Sequence, residues 1–324
     1  MSNIDDKVFY FDEGSLEKQL ETLVSKGITQ FRVCDSTICT DKKHLLHFIQ
    51  LALEKAPSVF YDFYLEAAAG PSSVIDDKTI EAFSQLFCSL HIPVPKKDYF
   101  KPFSKKIARL NNQGLVFGFE LNSTCYTGMK SFCEVLNFAI ELYPNDVMIV
   151  TSDLKPNACL TTQDIKKIKW LSFAVYTFYS AGRAVPWFNA ALLALRITPF
   201  KFFTDFSEWQ YCNHASINEF NPDNVSHTEL EKMQLVFLQI KFEEKGLLHV
   251  FPVLKDLVCL QGAFSRVSAG ESNQEILDIS YYPDDILSPF AMDLISFADQ
   301  VCMENTTIKV FARENEPDFQ IITN

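Results

Sequence analysis

The stretch QFRVCDSTICTDKKHLL, residues 30–46, decides the fold class. Phe31 to Val33 reads as a short buried strand. It stops abruptly at Asp35-Ser36-Thr37, and a helix start follows within a few residues. A strand that feeds a helix this directly is one half of a βαβ unit. Asp41 stands where a helix cap belongs, and Leu45, Leu46, Phe48, Ile49 and Leu53 give residues 42–55 one apolar face, ended by Pro57.

The same alternation extends in both directions. Ser15 precedes a helix carrying Leu16, Leu20, Leu23 and Val24, closed by Gly27. VFYDFYLEA, 59–67, reads as a strand and residues 77–90 as a helix. HIPVPKKDYFKPFSKK, 91–106, with three prolines and five lysines, reads as a loop excursion. GLVFGFELN, 114–122, is a strand, 128–142 a helix and DVMIVTS, 146–152, a strand, with a weak further strand at VFYF, 8–11. Units of roughly 30 residues argue for parallel strands with crossover helices. The expected fold is α/β: a partial (βα) barrel of about four to six parallel strands. A helical, aromatic-rich region follows, then a mixed α+β tail from about 247. The expected domains are 1–160 and 161–324.

Apolar residues make up 48% of the 324-residue chain, enough for a packed core, and Phe is abundant at 30 residues. A net charge of −12 with scattered lysines argues against nucleic acid as a partner. No run of eighteen apolar residues occurs, so no membrane association is expected. The acidic start, MSNIDDKVFYF, lacks an apolar signal core. Nine cysteines without a C-x-x-C pair fit a cytoplasmic protein with mostly buried, reduced thiols. His44 and His47 lie three apart on one helix but make no zinc motif. G-x-S-x-G, Walker A and G-x-G-x-x-G motifs are missing from the sequence.

In parallel α/β folds, ligands gather at the carboxyl ends of strands. Polar residues stand at each such end here: Asp35, Ser36 and Thr37, then Glu66, then Glu120, Asn122, Ser123 and Thr124, then Thr151, Ser152 and Asp153. The candidate ligand-binding residues are Asp35, Ser36, Thr37, Glu66, Glu120, Asn122, Ser123, Thr124 and Ser152. Strand ends are polar simply because strands end at solvent, so a shared pocket is one of two readings.

Taken in order, the segments also carry a family resemblance. ITQFRVCDSTICTDKKHLLHFIQLAL, FYDFYLEAAAG, VIDDKTIEAFSQL, GLVFGFELNST, YTGMKSFCEVLNFAIELYPNDVMIVTSDLKP and VYTFYSAGRAVPWFNAALLALRITPFKFF resemble successive pieces of cobalamin-binding-type radical SAM enzymes, across roughly residues 8–212. The cluster-binding C-x-x-x-C-x-x-C triplet and the cobalamin-binding region of that family are missing, and one strand–helix unit after Ser123-Thr124 reads as deleted. By this resemblance Asp35, Glu66, Glu120 and Ser123 match strand ends that face S-adenosylmethionine.

The expectation is therefore a non-catalytic, cluster-less pseudoenzyme. It would serve as an accessory or binding partner of an intact radical SAM enzyme in peptide or small-metabolite modification. No cofactor is expected, with S-adenosylmethionine as the open alternative. Two other functions compete. One is an enzyme using Asp35, Glu66 and Glu120 for acid/base or divalent-metal chemistry. The other is a peptide-binding module lined by Trp170, Tyr176, Tyr179, Trp187, Trp209 and Tyr211.

Overall fold

The computed structural model describes residues 15–66, 73–314 and 316–322. The strand expected at 8–11 lies outside the described residues. The chain forms two compact units, Met1–Tyr126 and Thr127–Asn324.

The first unit alternates strand and helix. Its elements are α1 (Leu16–Ser25), β1 (Gln30–Val33), α2 (Ser36–Thr40), α3 (Lys42–Lys55), β2 (Phe60–Tyr64), α4 (Asp77–Phe83), β3 (Cys88–Pro93), α5 (Phe100–Asn112) and β4 (Val116–Leu121). The strands pair parallel in sequential order, β1 with β2, β2 with β3 and β3 with β4. Each crossover steps one strand in the same direction. Right-handed crossovers that all step one way put their helices on one face, the winding of a (βα) barrel rather than of a doubly wound sheet. The rings agree: Phe48 of α3 meets Tyr61 and Phe63, Phe83 of α4 meets Phe63, and Phe103 of α5 meets Phe119. Tyr61, Phe63, Phe117 and Phe119 thus form the buried, helix-facing side.

Local chemistry explains the boundaries. Asp41 caps α3 by accepting from the His44 N–H at 3.0 Å, at the position expected from sequence. Asp76 caps α4, and the Thr79 hydroxyl receives the Asp76 N–H at 2.9 Å, completing a capping box. Gly27, with φ of 80°, takes the left-handed turn after α1.

One expectation needs correction here. Residues 77–90 are not a single helix, and 91–106 are not a loop. α4 ends at Phe83, β3 follows, and α5 occupies the lysine-rich segment. Cys88, Leu90 and Ile92 are buried while Ser89, His91 and Pro93 are half-buried, the two-residue period of a strand. Pro93 is the last strand residue, where a missing N–H matters least. Phe103, Ile107 and Leu110 bury one face of α5, and Pro102 lies in its first turn, where the helix tolerates it.

The second unit comprises α6 (Met129–Glu141), β5 (Asp146–Ile149), α7 (Thr162–Val175), a π-helical turn (Tyr176–Ser180), α8 (Phe188–Leu195), α9 (Pro199–Cys212), α10 (His227–Glu244), α11 (Phe251–Ser268), β6 (Gln274–Ile279), α12 (Pro283–Ile286), α13 (Leu294–Gln300), β7 (Thr306–Arg313) and β8 (Glu316–Ile321). HVFPVLKDLVC, expected in a mixed or β-rich tail, is the start of α11, with Pro252 in its first turn. The last three strands form an antiparallel sheet in the order β6-β7-β8.

The aromatic tract is core. Phe178 is fully buried and meets Trp187, Phe188, Phe202, Phe203, Phe206 and Phe237, mostly edge-to-face. Tyr179 and Trp187 are buried as well and take no part in a surface groove, while Tyr176 is exposed and Trp209 half-buried. Trp170 and Tyr211 stay exposed at 38% and 65% and stack on each other.

Asp256 of α11 is a buried polar group of the second unit. It is 1% exposed, and its Oδ2 accepts the N–H groups of Ser280 at 2.6 Å and Tyr281 at 3.1 Å. Among the described residues its Oδ1 has no hydrogen-bond partner.

The thiols also differ from expectation. Cys39, Cys88 and Cys125 are buried, but Cys34, Cys159, Cys212 and Cys302 are exposed. The exposed four lie in connections or at a helix end, and Cys133 and Cys259 are half-buried.

Candidate functional site

The predicted strand-end residues sit where expected along the chain, and several of them are engaged locally. Asp35 caps α2, its Oδ1 accepting from the N–H groups of Thr37 at 2.9 Å and Ile38 at 3.1 Å. Ser36 and Thr37 are exposed in that first turn, and Glu66 is exposed after β2. Glu120 is half-buried and accepts from the Asn122 amide at 3.2 Å. Asn122 in turn accepts from the Thr124 N–H and hydroxyl, at 3.0 and 2.5 Å. Ser123 and Thr124 are exposed beside it, and Ser152 is exposed in a turn of the second unit.

Asp35 and Glu66 do share one neighbourhood. Burial, then the charge of Glu66, then Cys34 and Asp35 push the Cys39 thiol up to about 12. Cys39 is therefore a protonated packing residue whose Sγ points at the Val33 carbonyl, 3.4 Å away.

A denser polar constellation lies on the sheet itself. Because Tyr61, Phe63, Leu90 and Phe117 face the helices, strand alternation turns Arg32, Asp62, Tyr64, Ser89 and His91 to the opposite face. Register then brings them together. Asp62 pairs with Ser89 and Tyr64 with His91 across β2 and β3, while Arg32 pairs with Asp62 across β1 and β2. Asp62 Oδ1 accepts from the Ser89 hydroxyl at 2.5 Å and lies 2.8 Å from His91 Nε2. The His91 ring stacks on Tyr64 with centroids 4.2 Å apart and planes 7° apart, and the Arg32 guanidinium lies 5.5 Å from the Tyr64 centroid.

The result is a flat ledge of guanidinium, phenol and imidazole across three neighbouring strands, with a carboxylate at its foot. Burial pushes the Asp62 carboxyl up. The hydrogen bonds of His91 and Ser89 and the charges of His91 and Arg32 outweigh it and hold the group below the ordinary Asp value. Asp62 is thus anionic at neutral pH. Nε2 of His91 is turned to Asp62, and Nδ1 is the ring nitrogen left for another partner. The side chains of Asp62 and His91 are 12% and 22% exposed, so the ledge is partly open.

Chemically, such a surface can stack a planar group on Tyr64 and His91 and offer Arg32 to an anion or acceptor. It is poorly arranged for nucleophilic attack. Ser89 and His91 both turn to Asp62, so the imidazole does not take the serine proton. Among the described residues, no group of three His, Cys, Asp or Glu side chains is placed to hold a metal ion.

None of Asp62, Ser89 and His91 is identifiable from a local motif. Ser89 and His91 fell in segments read as helix and loop, and the cluster forms only through the parallel register. The one available signal was the alternation S-x-H against C-x-L-x-I in CSLHIP. No family model matches the chain, and no curated protein matches it either.

Proposed function

We propose that the protein is a non-catalytic binding or accessory protein. Its parallel-sheet unit keeps the winding of a radical SAM-like barrel without the cluster residues, and its polar ledge holds a small polar ligand for an intact partner enzyme. The observation that carries this reading is the state of Asp62, which accepts from Ser89 and His91 at once. That network fixes a recognition surface and leaves no free nucleophile–base pair. The Arg32–Tyr64–His91 stack supports a planar ligand bearing an acceptor or anionic group. An adenosyl compound such as S-adenosylmethionine is the first to try.

The rim-carboxylate reading draws less support, because Asp35 is committed to a helix cap and Glu120 to Asn122. The peptide-module reading retains the exposed Trp170–Tyr211 pair.

The test is isolation from the native cell under anaerobic, iron-replete conditions, with metal analysis and equilibrium dialysis against S-adenosylmethionine and S-adenosylhomocysteine. Expected are a complex with a cluster-bearing enzyme, iron only on that partner, and ligand binding weakened by Tyr64→Ala. A stoichiometric iron–sulfur cluster on this chain, or turnover by this chain alone, overturns the proposal.

A further inference from the structure

The second unit holds a cleft of about 620 Å³, within the range of small-molecule sites. Its walls come from the π-helical turn, the first turn of α10, the last turn of α11 and the start of β6. It shares no residue with the ledge of the first unit.

The charges around it do not balance. Arg266, 5% exposed, donates to both carboxylate oxygens of Glu275 at 2.7 and 2.6 Å and to Glu231 at 2.6 Å. Arg183 donates to Ser265 at 3.0 Å and pairs with Glu271. Asp223 accepts from the Tyr176 hydroxyl. Three carboxylates that line the cleft (Asp223, Glu271 and Glu275), with Glu231 buried behind Arg266, therefore stand against two guanidiniums, an excess of negative charge.

His227 does not make up the difference. Its Nδ1 accepts from Arg266 at 2.9 Å and its Nε2–H donates to the Gly182 carbonyl at 3.3 Å, so the ring is held neutral. Burial, then the charge of Arg183, push its pKa down to about 4.

Uncompensated negative charge in a partly enclosed site favours a cation and repels phosphate or carboxylate. The Tyr176 ring, 39% exposed, lines the same cleft and offers a π face to such a cation. Among the described residues, the Asp223 carboxylate accepts from the Tyr176 hydroxyl alone, whereas Glu275 is fully occupied by Arg266. Asp223 thus has capacity to spare, and unlike Glu271 it is paired with no guanidinium among these residues.

We propose that this cleft binds an organic cation, an ammonium or guanidinium group anchored by Asp223 against the Tyr176 ring. The cation is carried by a free amine or by a Lys or Arg side chain of a peptide.

The experiment is isothermal titration of the full chain at low ionic strength. The probes are spermidine, agmatine, acetyl-Gly-Lys-Gly-amide and its norleucine counterpart. Expected is saturable one-to-one binding of a cationic probe, none of the norleucine peptide, and at least about tenfold weaker binding by Asp223→Asn, an exposed substitution that leaves the buried network intact. Tighter binding of the free amines marks a small-molecule site, and tighter binding of the lysine peptide marks a peptide site. The proposal fails if no cationic probe saturates below ~10 mM, a level weaker than millimolar recognition. It also fails if Asp223→Asn leaves affinity unchanged, the behaviour of diffuse attraction to a chain of net charge −12.

Discussion

Replacing Asp256 by Asn tests how the second unit handles a buried carboxylate. Burial raises the Asp256 pKa from the ordinary 3.8 to about 6, against the pull of the Ser280 and Tyr281 N–H groups. Between those values the folded chain holds a proton that the unfolded chain has released. Stability contributed by this group therefore falls as pH rises from about 4 to about 6, and the loss is complete at neutral pH. At about 1.4 kcal/mol per pKa unit the loss amounts to ~3 kcal/mol.

In Asp256→Asn the side-chain oxygen still accepts from Ser280 and Tyr281, but nothing titrates. The amide that replaces Oδ1 has no acceptor, which costs about 1–3 kcal/mol and offsets part of the gain at neutral pH. The difference between the two proteins removes the contribution of every other carboxylate. It should change by ~3 kcal/mol in favour of the variant as pH rises from 4 to 7. Tryptophan fluorescence in urea series at several pH values is the assay, because Trp170, Trp187 and Trp209 all lie in the second unit. Parallel pH profiles for the two proteins would refute the reasoning.

Two further substitutions probe packing. At Gly262 an added Cβ would lie 1.9 Å from Glu231 Oε2, so Gly262→Ala must displace the carboxylate that holds Arg266. A loss of about 2–4 kcal/mol by urea denaturation is expected, and a loss under about 0.5 kcal/mol would show that the pair relocates freely. Phe178→Ala removes the ring at the centre of six others and should cost about 3–5 kcal/mol, with loss of near-ultraviolet circular dichroism; an unchanged spectrum counts against the described core.

Local signals in the sequence carried the elements that local chemistry defines. Asp41 announced α3 because a capping side chain acts within three residues of itself. β3 escaped because the apolar run Phe83, Leu86, Phe87 continues a helical period into it, and because two prolines in HIPVP suggested a loop. With β3 misread, the ledge could not be assembled, since Asp62 meets Ser89 and His91 only across neighbouring parallel strands. The rim residues were legible as strand ends, but their partners were not. Whether a carboxylate such as Asp35 is open to a ligand depends on which backbone N–H groups turn toward it.

The π-helical turn has a consequence of its own. Its hydrogen bonds run from the Ala181 N–H to the Tyr176 carbonyl at 2.8 Å and from the Ala184 N–H to the Tyr179 carbonyl at 2.9 Å, one residue longer than α-helical bonds. Such a turn is an α-helical turn holding one surplus residue. Excising that residue would let an ordinary helix run on, and each residue of an α-helix advances about 100° around its axis. Arg183, with φ of 50° just past the turn, would swing about a quarter of the way around the helix and away from Glu271 and Ser265. The direction in which Arg183 faces is therefore encoded as a count of residues, and a single-codon deletion upstream of it would reorient the cleft wall without altering any side chain that lines it.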